Sequence, residues 1–277
     1  EKYDIDYAKM FTEYEGKETP ASLDWDIYSP QELYKIMRDG KRILTTQVPV
    51  QEFKRVFTRY INEGYDIVYI GCSSKQSGSV NTGFVVAKEI MSENPGSEIY
   101  IVDALRACMG EGVLAIRGAE YRDQGKSAGE IYDLLNKDAN TVNQYITVHS
   151  LDALKRAGRV KASAAFLGNL FGVKPILIAD KNGDQVPVKK VKGRQTSINE
   201  IVNLLKESIV EPEKQTVYIV HADCEEEAKK LEKLVKEQIP CKDTHISYIG
   251  PIIGASIGPD AIGLFAFGKE VTFVAGN

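Results

Sequence analysis

The sequence predicts an α/β protein of two domains, the first built on a parallel sheet between helices and the second on a mixed, partly antiparallel sheet. Three observations predict it. At 277 residues the chain exceeds the usual size of a single hydrophobic core. Between Ser29 and Tyr121 apolar strand runs alternate with amphipathic helical stretches, the βαβα order that builds parallel sheets. Past residue 150 that alternation gives way to hairpin signals mixed with helices, which suits a mixed sheet. The division falls at 1–150 and 151–277.

Residues 1–28 read as two short strands joined by the turn Glu15-Gly16-Lys17. Ser29-Pro30-Gln31-Glu32 places a capping serine before a proline at the first helical position, and Leu33, Tyr34, Ile36 and Met37 follow at helical spacing. Asp39-Gly40 stops that helix. A second helix carries Phe53, Val56, Phe57 and Tyr60, and Gly64 leads into the buried strand Ile67-Val68-Tyr69-Ile70. A small-polar loop at 71–79, a helix near 80–92, the strand Ile99–Val102 and an apolar helix near 110–121 complete the alternating part. Ser127 caps a helix over about 127–137, and the strand Tyr145–Val148 follows. Helical stretches from Leu151 and over about 162–171 precede the extended Lys174–Ile178. Asn182-Gly183 marks a hairpin into a strand from Gln185 to Val191. The rest reads as a helix at 197–209, the strand Thr216–His221, a charged helix at 225–237, the strand Ile246–Ile249 and two closing strands near 262–267 and 271–275. The Gly- and Pro-rich run 249–259 reads as a tight loop or a sheet corner.

Composition narrows the function. A formal charge of -4 and a pI near 5.6 give no broad basic field, which argues against nucleic acid and leaves at most transient membrane contact. No apolar stretch reaches the roughly 18 residues that span a bilayer. The start, Glu1-Lys2-Tyr3-Asp4, is neither a signal peptide nor an initiator Met, so the N-terminus reads as trimmed. Cys72, Cys108, Cys224 and Cys241 lack C-x-x-C spacing, so no metal site is expected and reduced thiols in a cytoplasmic protein are. Phosphate-loop and dinucleotide signatures are absent, and none of His149, His221 and His245 sits near a nucleophile elbow.

Two features remain. Gly71-Cys72-Ser73-Ser74-Lys75-Gln76-Ser77-Gly78-Ser79 lies between a strand and a helix, where hydroxyls and N–H groups make an anion cradle, although the same residues suit an ordinary turn. Thr45-Thr46-Gln47 also precedes a helix and could lie beside that loop. Lys155, Arg156, Arg159 and Lys161 form one basic cluster, and Lys189, Lys190, Lys192 and Arg194 another; both suit solvated lysines or a rim for an acidic partner.

Taken together these segments resemble the DegV family of bacterial fatty-acid-binding proteins, over almost the whole chain. Thr45-Thr46-Gln47 with Phe53 is similar to the family's T-S-Q-P-S stretch, Ser73–Ser79 to S-S-x-L-S-G-T, and Val102-Asp103-Ala104 to V-D-S. Gly158-Arg159-Val160, Lys174-Pro175-Ile176-Leu177 and Ile253–Pro259 are similar to G-R-[IV], K-P-[IL]-[IL] and I-G-x-H-x-G-P. The resemblance implies an α/β/α domain joined to a smaller two-layer α/β domain, with a long-chain fatty acid in a tunnel at their junction and no cofactor. It implies that Thr45 and Ser77 hold the carboxylate, helped by Thr46, Ser74, the N–H groups of Gly78 and Ser79, and Ser256. It further implies a non-catalytic role, presenting the lipid to a separate fatty-acid kinase subunit, with Arg159, Lys192 and Arg194 facing that partner or the acyl phosphate. The sequence departs from the pattern in four places: the opening V-T-D-S strand is missing, Val48 and Pro49 interrupt T-S-Q-P-S, Ser256 replaces a usual histidine and Asp260 a usual glycine. A stand-alone enzyme, either a serine hydrolase using Ser77 or a small-molecule phosphotransferase, and a regulatory protein with lipid as filler are the alternatives.

Overall fold

In the computed structural model, which describes residues 2–163, 166 and 172–276, local signals place most elements. A hairpin, β1 (Phe11–Tyr14) and β2 (Lys17–Pro20), turns at Glu15 and Gly16, both with positive φ, as a two-residue turn between twisted strands requires. Helix α1 (Pro30–Arg38) starts in a capping box: Ser29 accepts from the Glu32 N–H while the Glu32 carboxylate accepts from the Ser29 N–H. β3 (Leu44–Thr46) joins β1 antiparallel, and α2 (Val50–Asn62) follows.

β4 (Ile67–Gly71) and β5 (Ile99–Asp103) form a parallel pair connected through α3 (Ser79–Glu93). Their alternating side chains fill two cores. Ile99 joins Phe53, Phe57, Val86 and Ile90 of α2 and α3, whereas Val102 joins Leu114, Ile131 and Leu135 of α4 (Met109–Asp123) and α5 (Ala128–Asp138). This is the expected helix–sheet–helix layering, on a parallel sheet of two strands.

The next strand, β6 (Val142–Thr147), does not extend that pair. It lies between β11 (Ile262–Phe267) and β7 (Val173–Ala179), antiparallel to both, in a six-stranded sheet ordered β10-β9-β11-β6-β7-β8. β8 (Gln185–Lys192) closes one edge, and the parallel pair β9 (Thr216–His221) and β10 (Asp243–Tyr248) the other. Adjacent residues again divide between cores. Ile176, Ile219 and Leu264 pack under α7 (Arg194–Ser208) and α8 (Glu225–Gln238), while Leu177, Val220 and Phe265 face α1, α4, α6 (Asp152–Ala157) and α9 (Pro251–Ile257). Helix α4 thus touches both β4 and the β6–β11 pair, which makes it the seam between the two sheets.

Two of these expectations change and a third lies outside the described residues. The Gly-rich run near 250–258 is the short helix α9, because Gly254 lets it close onto Tyr34, whose hydroxyl donates to the Ile249 carbonyl at 2.8 Å. Residues 271–275 form no strand; their backbone ties to Asp180 and Asn140 instead of to a neighbouring strand. The helix expected over about 162–171 falls largely on 164, 165 and 167–171, outside the described residues.

A Cβ at position 254 would lie 2.5 Å from the Tyr34 hydroxyl and 3.0 Å from its ring. Gly254→Ala is therefore expected to cost about 1–3 kcal/mol by overpacking, read as a lower urea midpoint with unchanged slope; an unaltered midpoint would show that α9 can shift freely.

Candidate functional site

The loop between β4 and α3 is held from several sides. Its start is pinned by β5: Asp103 accepts from the Ser74 N–H at 3.3 Å and the Leu105 N–H at 2.9 Å. Within it the Ser73 carbonyl accepts from both the Gln76 and Ser77 N–H groups. At its end Ser77 and Ser79 share a hydrogen bond, Oγ to Oγ at 2.9 Å, and Ser77 Oγ accepts from the Ser79 N–H. Ser79, buried, also accepts from the Val48 N–H at 3.1 Å, which ties the end of β3 to the start of α3. Gln47 adds a second tie by donating to the Thr82 hydroxyl at 2.9 Å. Its amide lies directly over Gly78, so any side chain there would have to displace Gln47.

Gln47 and Val48, directly after the threonine pair, thus bring the end of β3 against this loop. Helix α3 begins there with Gly78 at its N-cap, no side-chain cap and no acidic residue in the first turn, so the positive end of its dipole is unopposed. Arg159 is lashed to the same loop, donating from Nε to the Gln76 carbonyl at 2.6 Å, which puts a guanidinium one residue from Ser77.

Other predicted residues are placed differently. Thr45 and Thr46 are consecutive in β3, so their side chains leave opposite faces and only one can serve a common ligand. Thr45 is in register with Thr12, which lines a recess shared with Pro251 of α9; Thr46 has a buried hydroxyl with no partner among the described residues. Ser256 spends its hydroxyl on the Ile252 carbonyl of its own helix at 3.3 Å. Arg194 makes a two-pronged ion pair with Glu227 and donates to the Asp260 carbonyl, so its charge is countered locally, while Lys192 stays exposed. Asp260 has a φ of +62, which explains a glycine at this place, and its carboxylate accepts from Arg38 at 2.7 Å.

Sequence reasoning missed the seam. Arg106 is fully buried and makes no ion pair with a carboxylate among the described residues; burial pulls its pKa down to about 10, against the pull of Asp180 and Asp103. Glu111, in the first turn of α4, is pushed by burial up to about 8 despite the Cys72 N–H, which favours its charged form. Tyr69 and Cys108, which feel its charge, are also raised by burial, yet all three keep some accessible surface. The enclosed recess beside Thr12, Trp25 and Tyr28 measures about 10 Å³, room for about one water. The tunnel implied by the resemblance is therefore not open at ligand size at this recess.

Residues 1–269 match the family model described as "Uncharacterised protein, DegV family COG1307". The chain belongs to the DegV family. A DegV domain-containing protein of Clostridium perfringens (strain 13) is 35% identical over 265 residues, covering 96% of this chain and 91% of the relative. A Thermotoga maritima protein named "Fatty acid-binding protein" is 30% identical over 282 residues, covering 98% and 92%. The solved structure of DegV from Bacillus subtilis, described as a fatty acid binding protein, superposes with a TM-score of 0.82 at 26% identity, covering 97% of this chain and 93% of that one. Solved DegV-family structures under 25% identical, which show the fold alone, include one with vaccenic acid at a TM-score of 0.85. Among the described residues no helix is long and apolar enough to cross a membrane.

The Glu111 shift has a testable sign. Its folded pKa of about 8 lies above the ordinary 4.5, so the folded state binds the extra proton between those values. Stability should fall as pH rises from about 4.5 to about 8 and level off above. Glu111→Gln should flatten that slope, so urea midpoints of variant and parent should diverge between pH 5 and pH 8; parallel profiles would show that the carboxyl is solvated.

Proposed function

We propose that this DegV protein binds one long-chain fatty acid between its two lobes, with the carboxylate on the hydroxyls and N–H groups around Ser77, Gly78 and Ser79. The observation that carries the reading is a hydroxyl-lined, uncapped helix N-terminus closed against β3, with Arg159 held beside it. Thr45 is the β3 hydroxyl on the side of α9 and the complementary donor. Membership of a family whose relatives are named for fatty-acid binding supports the same ligand.

The energetics favour a lipid held by its tail and oriented by its head. Burying methylenes contributes roughly 0.8 kcal/mol each, so a tail of about sixteen carbons supplies on the order of 10 kcal/mol before ordering costs. A carboxylate taken out of water without partners would cost several kcal/mol, which converging donors offset. The acyl chain would enter the seam by parting the apolar side chains of α4, β4 and α9, a step that couples binding to a change of shape.

The chain's role in this reading is non-catalytic: it presents the carboxyl to a separate fatty-acid kinase subunit that forms the acyl phosphate. Exposed Lys192 and Arg159 are the cations offered to that partner, and Arg194 stiffens the neighbouring surface through Glu227. A stand-alone serine hydrolase has less support. The Ser77 hydroxyl meets Ser79, whereas His149 contacts Lys174 and His221 accepts from the Cys224 N–H.

Denaturing mass spectrometry of the natively purified protein should release a fatty acid of long chain length. Absence of lipid, together with no displacement of a fluorescent fatty acid, would sink the reading. Ser77→Ala should weaken affinity about five- to tenfold, the worth of one ordinary hydrogen bond, and leave the thermal midpoint nearly unchanged. Unaltered affinity in a competition titration would move the head group elsewhere. Addition of a fatty-acid kinase subunit and ATP should yield acyl phosphate only when both proteins are present.

A further inference from the structure

The loop that carries Ser77 is gripped from the far side of the seam. The turn between β7 and β8 reaches across to it: the Gly183 carbonyl accepts from the Ser73 hydroxyl at 2.8 Å and from the Gln76 side-chain amide at 3.2 Å. Gly183 has a φ of +88, and a Cβ there would run into the Ser73 hydroxyl, so only glycine brings the carbonyl this close. The turn is itself rigid. Buried Asp180 accepts from the N–H groups of Asn182 and Asp184 with one oxygen and from the Ala275 N–H with the other. The Gly183 N–H donates to the Asp180 carbonyl at 3.0 Å.

Arg106 fastens this turn to the loop from below. Its Nη1 donates to the carbonyls of Asp180 at 3.2 Å and Leu105 at 2.7 Å, its Nε to the Val142 carbonyl at 2.6 Å, and its own carbonyl accepts from the Ser73 N–H at 2.8 Å. Because the Ser73 carbonyl in turn accepts from the N–H groups of Gln76 and Ser77, any shift of Ser73 moves Ser77.

We propose that the Asp180–Asp184 turn positions the anion-holding loop: Ser73 and Gln76, bonded to the Gly183 carbonyl, hold Ser77 to Ser79 in the shape that retains an acid head group, and parting of these bonds opens the loop for ligand exchange. This deepens the fatty-acid reading and rests on it. Ser73 and Gln76 are positioning residues; they act through the loop backbone and through Gly183. The second lobe thereby sets how long the first lobe keeps its ligand, and separation of the two lobes and release of the head group are one event.

Stopped-flow displacement of dansyl-undecanoic acid tests this on the full chain. Gln76→Leu, half-buried and tolerant of an apolar side chain, should raise the dissociation rate several-fold, and Ser73→Ala combined with Gln76→Leu roughly tenfold. Association rates and the thermal midpoint of Gln76→Leu should stay near those of the parent, a split that mere loss of stability would not produce. Lys181→Ala, an exposed change in the same turn, should behave as the parent. Parent-like dissociation in both loop variants, or equal acceleration by Lys181→Ala, overturns the proposal while leaving fatty-acid binding intact. If the parent itself takes up no dansyl-undecanoic acid, the binding reading fails first and this one with it.

Discussion

A loop proposed to hold a carboxylate must keep its N–H groups and hydroxyls in place when the ligand is gone, and the contacts around residues 71–79 fix that loop from several sides. The loop has little regular structure of its own. Its geometry is borrowed from Asp103 at the end of β5, from Val48 after β3, and from Gly183 and Arg159 in the second half of the chain. If the loop takes the proposed carboxylate, such preorganisation limits the ordering cost at binding and leaves the polar end to specify orientation and apolar burial to supply the affinity.

The seam explains the unusual charges. Helix α4 is enclosed by two sheets, so any polar group in its first turn or in the loop before it is desolvated. Arg106 meets that cost with three backbone carbonyls and stays cationic; Glu111, with far fewer donors, meets it by holding its proton. Holding its proton spares the seam one buried anion, whereas the Arg106 cation remains inside, bonded to backbone carbonyls. Ion pairs that do occur near the rim, Arg38 with Asp223 and Asp260 and Arg194 with Glu227, are partly exposed and tie loops together at modest energetic gain.

Much of the fold was legible because it is written in short-range chemistry. Capping serines at Ser29 and Ser127, the turn at Glu15-Gly16, the hairpin at Asn182-Gly183 and the apolar runs of β4, β5 and β9 all reside within a few residues of what they specify. The 249–259 run was harder. Glycines and prolines signal a loop by propensity, yet contact with Tyr34, more than two hundred residues away in sequence, turns them into α9. Thr46 shows the same limit at the site, since a hydroxyl beside Thr45 looks equivalent in sequence and is opposed to it once β3 is paired.

By itself the sequence determined most of the elements and their order, though not β3, α9 or the end of the chain, together with the hydroxyl-rich loop before α3 and the absence of phosphate-loop and hydrolase signatures, because periodicity, caps and turn residues act locally. Tertiary structure alone decided that β6 pairs with β11 and not with the parallel strands, that Gly183 meets Ser73, and that Arg106 and Glu111 lie inside. Those outcomes depend on which surfaces exclude water from one another across long stretches of chain. No local pattern records that, for a strand of alternating residues pairs equally well on either side until the rest of the core has chosen for it.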